Sequence, residues 1–154
     1  MTNLKNRYAM EQYIEEIERN GFPEHFYYAM IDVNGLKTVN DTLGHMAGDE
    51  LILGAVKCIC DVFMEYGNVY RIGGDEFVAM CTCDDTEMEA LIQELEKKTK
   101  KWRGHLVKEL SVSIGVASHS RYPEYSVWEL AKEADRLMYQ NKYDYYVRTG
   151  KKHR

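Results

Sequence analysis

The 154-residue chain contains no apolar run approaching the ~20 residues that a membrane-spanning helix requires, so nothing in it reads as a membrane segment. Its acidic, tyrosine-rich start lacks the layout of a signal peptide, and a cytoplasmic location is expected. A basic excess is missing too. The formal charge of -5 gives no general attraction for nucleic acid or anionic membranes, so any nucleotide has to be held by a local site. The four cysteines, Cys58, Cys60, Cys81 and Cys83, form two C-x-C pairs and no C-x-x-C metal motif. They read first as small apolar side chains of a reduced protein, and only second as a zinc site or a disulfide. What remains is ordinary: 45% apolar and 29% charged residues suit a globular protein, and the length suits one domain, residues 1–154, around one core.

The stretch richest in chemistry is Arg71-Ile72-Gly73-Gly74-Asp75-Glu76-Phe77-Val78-Ala79-Met80. β-formers run from Val69 to Ile72 and from Phe77 to Cys81, and the Gly-Gly between them can supply the positive φ of a two-residue hairpin turn. With no Cβ at Gly73 or Gly74, a bulky ligand can lie against the main chain while Asp75 and Glu76 present oxygens beside it. Such an oxygen-rich tip suits magnesium or manganese, whereas an isolated Gly-Gly-Asp-Glu also reads as a plain solvated turn.

Ahead of it, Phe26 to Val33 is nearly continuous in apolar residues, as expected of a central strand buried on both faces. Asp32 near its end either caps the next turn or binds something above the sheet. If the two strands are neighbours, Asp32 gives the hairpin a carboxylate partner. Asn34 to Asp41 reads as a short polar loop, with backbone N–H groups and Lys37 able to hold phosphate; a solvated loop is the plain alternative.

Asn6 to Asn20 reads as an amphipathic helix with Tyr13, Ile14 and Ile17 on one face and Gly21 as its stop. Gly48 to Tyr66 reads as a second, with Leu51, Ile52, Ala55, Val56, Ile59 and Phe63 inward. A third opens at Asp84-Asp85-Thr86, with Thr86 and Glu89 as a capping box, and ends in the basic run Lys97 to Arg103. Leu110 to Ala117 alternates as a strand, and Ser126 with Glu129 repeats the capping pattern before a helix from Val127 to Lys142. Strand, helix, hairpin, helix, strand, helix implies an α/β (α+β) class: helices around a mainly antiparallel sheet, in a ferredoxin-like arrangement. Such folds also bind RNA, but here the hairpin offers Asp75 and Glu76 rather than exposed aromatics beside basic residues, and no nucleic-acid partner is expected.

Gly73-Gly74-Asp75-Glu76-Phe77 spells the signature of the GGDEF family of diguanylate cyclases, which the chain resembles over nearly its whole length. Asp32 to Leu51 is similar to a second family pattern, D-x-D-x-F-K-x-x-N-D-x-x-G-H-x-x-G-D, with Asn34 replacing its second aspartate and Leu36 its usual phenylalanine. Thr2 to Arg7 resembles L-T-x-L-x-N-R, Ser113 to Ala117 resembles S-x-G-V-A, and Ala134 to Lys142 resembles A-D-x-A-L-Y-x-A-K. The family's following G-R-N is replaced by Asp144-Tyr145-Tyr146. Its inhibitory R-x-x-D falls on Met64-Glu65-Tyr66-Gly67, so no product-inhibition site is expected.

The resemblance implies a palm-like core shared with nucleotidyl cyclases, and an enzyme that condenses two GTP into cyclic di-GMP with release of pyrophosphate. It places two Mg2+ or Mn2+ per half-site on Asp32, the Val33 carbonyl, Asp75 and, less directly, Glu76. It makes Asp75 the candidate proton acceptor, with Lys37 offsetting transition-state charge. Phosphates fall to the N–H groups of Gly35 and Leu36, to Lys37 and to Lys142, and guanine to Asn40 and Asp49. One half-site per domain implies a homodimer, transient for the isolated domain. No sensory or receiver domain accompanies the chain, as in a segment of a longer signalling protein. The departures at Asn34 and after Lys142 keep a second reading open: a catalytically inactive relative that binds GTP or a partner as a regulatory module.

Overall fold

The computed structural model describes residues 4–150, so Thr2 and Asn3 of the opening segment lie outside the described residues. In chain order the elements are β1 (Lys5–Asn6), α1 (Arg7–Asn20), β2 (Phe26–Val33), α2 (Leu36–Leu43), α3 (His45–Phe63), β3 (Gly67–Arg71), β4 (Glu76–Thr82), α4 (Asp85–Lys101), β5 (Val112–Ser118) and α5 (Val127–Thr149). The strands form one sheet in the order β1-β3-β4-β2-β5. Among the described residues, β1 and β3 pair in parallel and the other three pairings are antiparallel.

β2 has the bounds its composition implies, and all eight of its residues are buried. The reason is its central place: with a strand on each side and helices on both faces, a half-polar strand would bury unpaired groups. Its side chains alternate. Ala29, Ile31 and Val33 join Leu51 and Ile59 of α3 and Leu95 of α4, while Phe26, Tyr28 and Met30 join Ile14 of α1 and Leu130 and Met138 of α5. This is the expected α+β arrangement of helices around a mainly antiparallel sheet. α1 starts where the Asn6 side chain accepts the Ala9 N–H at 2.9 Å and stops at Gly21. Met10, Ile14 and Ile17 are its buried residues, and Tyr13 is only half-buried.

Several local expectations are corrected. Asn34 to Asp41 is not a loop: Gly35, at φ 78, turns the chain out of β2 in the left-handed region, and α2 follows with Leu36 and Val39 packed on the core. α3 starts at His45 rather than Gly48 and stops short of Tyr66, and β5 starts at Val112 rather than Leu110. α5 continues past Lys142 to Thr149, because Tyr146 gives its last turns a buried anchor. The capping box of α4 is Asp84 with Glu87, not Thr86 with Glu89. Asp84 Oδ1 accepts the Glu87 N–H at 2.7 Å and Glu87 Oε1 accepts the Asp84 N–H at 2.9 Å. Aspartate caps at least as well as threonine, and this frame supports Met88, Leu91 and Leu95 on the buried face. The Ser126–Glu129 box forms as expected, and all four cysteines are free. Among the described residues, no helix is long and apolar enough to cross a membrane.

The cap assignment is directly measurable. Asp84→Ala should lower the unfolding free energy by about 1 kcal/mol in urea titrations, whereas Thr86→Ala should stay within about 0.5 kcal/mol of the parent.

Candidate active site

Strand register brings the two acidic segments to one end of the sheet. Asp32 lies opposite Glu76 of β4 and Ser113 of β5. The Val33 N–H donates to the Asp75 carbonyl at 2.9 Å, tying the hairpin tip to the exit of β2. Directly opposed residues of antiparallel strands share a sheet face, so Asp32 and Glu76 both project toward the α1 and α5 side.

The turn between them differs from the tight hairpin expected. Neither Gly73 nor Gly74 takes a positive φ. The ladder closes at Arg71 and Phe77, and the Ile72 N–H donates to the Glu76 carbonyl at 3.0 Å, which leaves a wider turn. Arg71 holds it: its Nε donates to the Gly73 carbonyl at 3.2 Å and its Nη2 to the Gly74 carbonyl at 2.7 Å. Beyond the Cα of Gly74 lies open space, whereas a Cβ at Gly73 would meet Glu76 Oε1 at 2.7 Å, so of the two glycines expected to leave the main chain clear only Gly74 does.

Asp32 carries the main electrostatic tension. Its Oδ2 accepts from Lys142 Nζ at 2.6 Å with both side chains buried, while its Oδ1 is buried without a hydrogen-bond partner. Burial pushes the carboxyl up to about 6; the Lys142 ammonium opposes that rise, and Asp75 and Glu76 add to it. Asn34, which stands where the family pattern has an aspartate, donates from Nδ2 to Ser111 Oγ at 2.9 Å and accepts from Ser113 Oγ at 3.0 Å. The amide serves both serines without adding another negative charge beside Asp32.

The phosphate-side residues are only partly as expected. Lys37 is exposed on the first turn of α2, whose N-terminus no side chain caps, and Leu36 is half-buried. The Gly35 N–H, however, is engaged: it donates to the Tyr146 hydroxyl oxygen at 3.1 Å, which the extension of α5 makes possible. Of the two expected guanine ligands, Asn40 of α2 lies against Gly48 of α3, where a Cβ would sit 1.8 Å from Asn40 Oδ1. Asp49 is the next residue of α3 and is exposed. Glu50 accepts the N–H groups of His105, Leu106 and Val107, each at 2.8 Å. Those amides, Val107 foremost, hold its carboxyl below the ordinary value.

Sequence reasoning missed Arg71, Glu50 and Tyr146. The first has a weak signal in its place beside two glycines whose carbonyls are unshielded, and the third in its spacing of one helical turn from Lys142. Glu50 has none, because its partners lie more than fifty residues on.

Among the described residues, no three His, Cys, Asp or Glu side chains converge as a ready metal cage. The donors at the Asp32 end are nevertheless all hard oxygens in excess negative charge, and one of them is an orphaned carboxylate oxygen. That set fits magnesium or manganese completed by water and substrate oxygens, which use only one or two protein carboxylates.

Fold and site together define a palm-like α+β domain with an acidic end. The family described as "Diguanylate cyclase, GGDEF domain" matches residues 1–145, and the chain belongs to it. Similar proteins include the signaling protein YkoW of Bacillus subtilis, 32% identical over 160 residues, covering 95% of this chain and 20% of YkoW. The probable diguanylate cyclase DgcI of Escherichia coli is 32% identical over 143 residues, covering 92% of this chain and 30% of DgcI. The chain thus spans less than a third of either relative's length. Among solved structures, the GGDEF domain of DgcB from Caulobacter crescentus, in complex with c-di-GMP, superposes with a TM-score of 0.78 at 27% identity, covering 93% of this chain and 85% of that one.

The Glu50 clasp carries a pH signature. Its folded carboxyl titrates below the ordinary 4.5, so its contribution to stability is present above that value and lost as pH falls through the folded one. Thermal melts should show wild type losing stability more steeply than Glu50→Gln as pH drops below 4.5; parallel curves would remove the clasp as a source of acid sensitivity.

Proposed function

We infer that this chain is the catalytic unit of a diguanylate cyclase, joining two GTP into cyclic di-GMP and releasing two pyrophosphates. The strongest support is the register that sets Asp32 opposite Glu76, ties Asp75 to Val33 and leaves Asp32 Oδ1 unpaired at the same end of the sheet. In each of two half-reactions the 3'-hydroxyl of one GTP attacks the α-phosphorus of the other. The new O–P bond forms as the bond to pyrophosphate breaks, and the hydroxyl proton passes to the Asp75 carboxylate.

Asp32, the Val33 carbonyl, Asp75 and Glu76 would hold two magnesium or manganese ions per half-site, which when bound make the 3'-hydroxyl more acidic and neutralise phosphate charge. Lys37 and the Leu36 N–H, at the uncapped start of α2, offset charge growing on the phosphates. Lys142 commits one of its three ammonium donors to Asp32 and keeps the others for the outer phosphates. Asn40 and Asp49 take guanine, since a carboxylate accepts from N1–H and N2–H together, a donor pair that adenine lacks. One chain supplies one half-site, so ring closure calls for two chains face to face.

Purified protein incubated with GTP and magnesium should yield cyclic di-GMP, resolved by chromatography. Asp75→Asn should cut turnover ~100-fold or more with an unchanged circular dichroism spectrum. A folded variant with wild-type turnover would remove the role given to Asp75. GTP binding by wild type without product would turn the reading to the regulatory module.

The same reading leaves the chain without the family's inhibitory surface. Met64 and Gly67 stand where that surface uses an arginine and an aspartate, and they offer neither a guanidinium fork nor a carboxylate to a cyclic dinucleotide. Position 67 is closed to a side chain as well, because a Cβ there would lie 1.9 Å from the Met80 carbonyl oxygen. Calorimetric titration of cyclic di-GMP into protein already filled with a non-hydrolysable GTP analogue should therefore show no submicromolar binding; such binding would contradict this reading.

A further inference from the structure

Tyr146 lies one turn beyond Lys142 on the same face of α5 and is only 5% exposed. Its hydroxyl oxygen accepts the N–H of Gly35, the residue whose left-handed turn carries the chain from Asp32 into α2. A backbone N–H has one proton and holds one strong acceptor along its axis. The phenol oxygen therefore occupies the direction from which a phosphate oxygen would reach the same amide. A phosphate oxygen is ionised and accepts more strongly than a neutral phenol, so exchange favours the phosphate whenever it is delivered there. The displaced ring also has somewhere to go. Tyr146 and Gly35 both line a cavity of about 1040 Å³, bounded as well by Thr38, Tyr145 and Arg148.

We propose that Tyr146 is a placeholder on the phosphate-binding turn: its hydroxyl satisfies the Gly35 amide until a nucleotide phosphate takes it, and the ring then turns into the adjoining cavity. The proposal rests on the reading of Gly35 to Lys37 as the phosphate seat. It makes Tyr146 a positioning residue that weakens nucleotide binding by one hydrogen bond in exchange for a turn held in shape beforehand. Removing the acceptor while keeping the ring leaves the Gly35 N–H waiting for phosphate, so the ligand-free protein is the state that suffers.

Tyr146→Phe isolates this effect. The variant should bind a non-hydrolysable GTP analogue with magnesium about 2- to 10-fold more tightly in calorimetry, the equivalent of one neutral hydrogen bond. KM for GTP should fall in step, with kcat moving less. Guanosine, which has no phosphate to offer Gly35, should bind variant and wild type alike. Analogue binding that is unchanged or weaker in the folded variant overturns the placeholder while leaving the nucleotide reading intact. Failure of the analogue to bind either protein would sink the nucleotide reading and the placeholder with it. Should Tyr146→Phe fold poorly, nitrogen-15 spectra of wild type titrated with the same analogue decide the matter. The Gly35 amide and the Tyr146 ring signals should shift together, and a Gly35 amide that does not respond overturns the proposal.

Discussion

The burial of Asp32 at the end of β2 is the constraint around which the molecule is arranged. β2 is central because its residues are apolar on both faces, and a central strand delivers whatever stands at its end into the interior of the site. A carboxylate in that position is costly to ionise unless a cation accompanies it. Lys142 is that cation, and by reaching Asp32 it fixes how α5 lies across the sheet. Taking away either partner would strand the other as an uncompensated buried charge, so the helix and the strand are bound together by electrostatics as well as by packing.

The contact between α2 and α3 is arranged by exclusion of volume instead. Asn40 rests where α3 has no side chain at Gly48, and any larger residue there would displace the amide. Immediately beyond, Glu50 gathers three successive amides of the segment after α4. Gly48 and Glu50 thus serve packing and loop anchoring on either side of the exposed Asp49, which leaves this short length of α3 little freedom to vary.

Much of this was legible in the residues, for identifiable reasons. β2 announced itself by an unbroken apolar run, and the inward faces of α1, α3 and α4 by helical spacing, because both patterns come from burial, which dominates folding energy. The meeting of Asp32 with the Asp75–Glu76 tip followed from the two acidic patterns lying on neighbouring strands. The failures have two causes, partners distant along the chain and local alternatives that the sequence leaves open. α2 is short and polar, and it forms through the Gly35 turn and the packing of Leu36 and Val39 on a core that no local window contains. Two overlapping capping frames, Asp84 with Glu87 and Thr86 with Glu89, are both present in the sequence, and tertiary packing selects the first. Gly-Gly suits a wider turn as readily as a tight one, and it was Arg71 that decided. The end of α5 depended on a hydroxyl finding an amide 111 positions earlier.

β1 pairs in parallel with its neighbour, and its two residues lie beside Tyr70 and Arg71. Asn6 also caps α1, while Arg71 grips the carbonyls of the glycine turn. The start of α1 and the acidic tip are therefore joined through the β1–β3 pairing, with Asn6 at one end and Arg71 at the other. Two residues of strand thus stand at once at the entry to a helix and beside the arginine that shapes the turn before Asp75, so a substitution at Asn6 touches both.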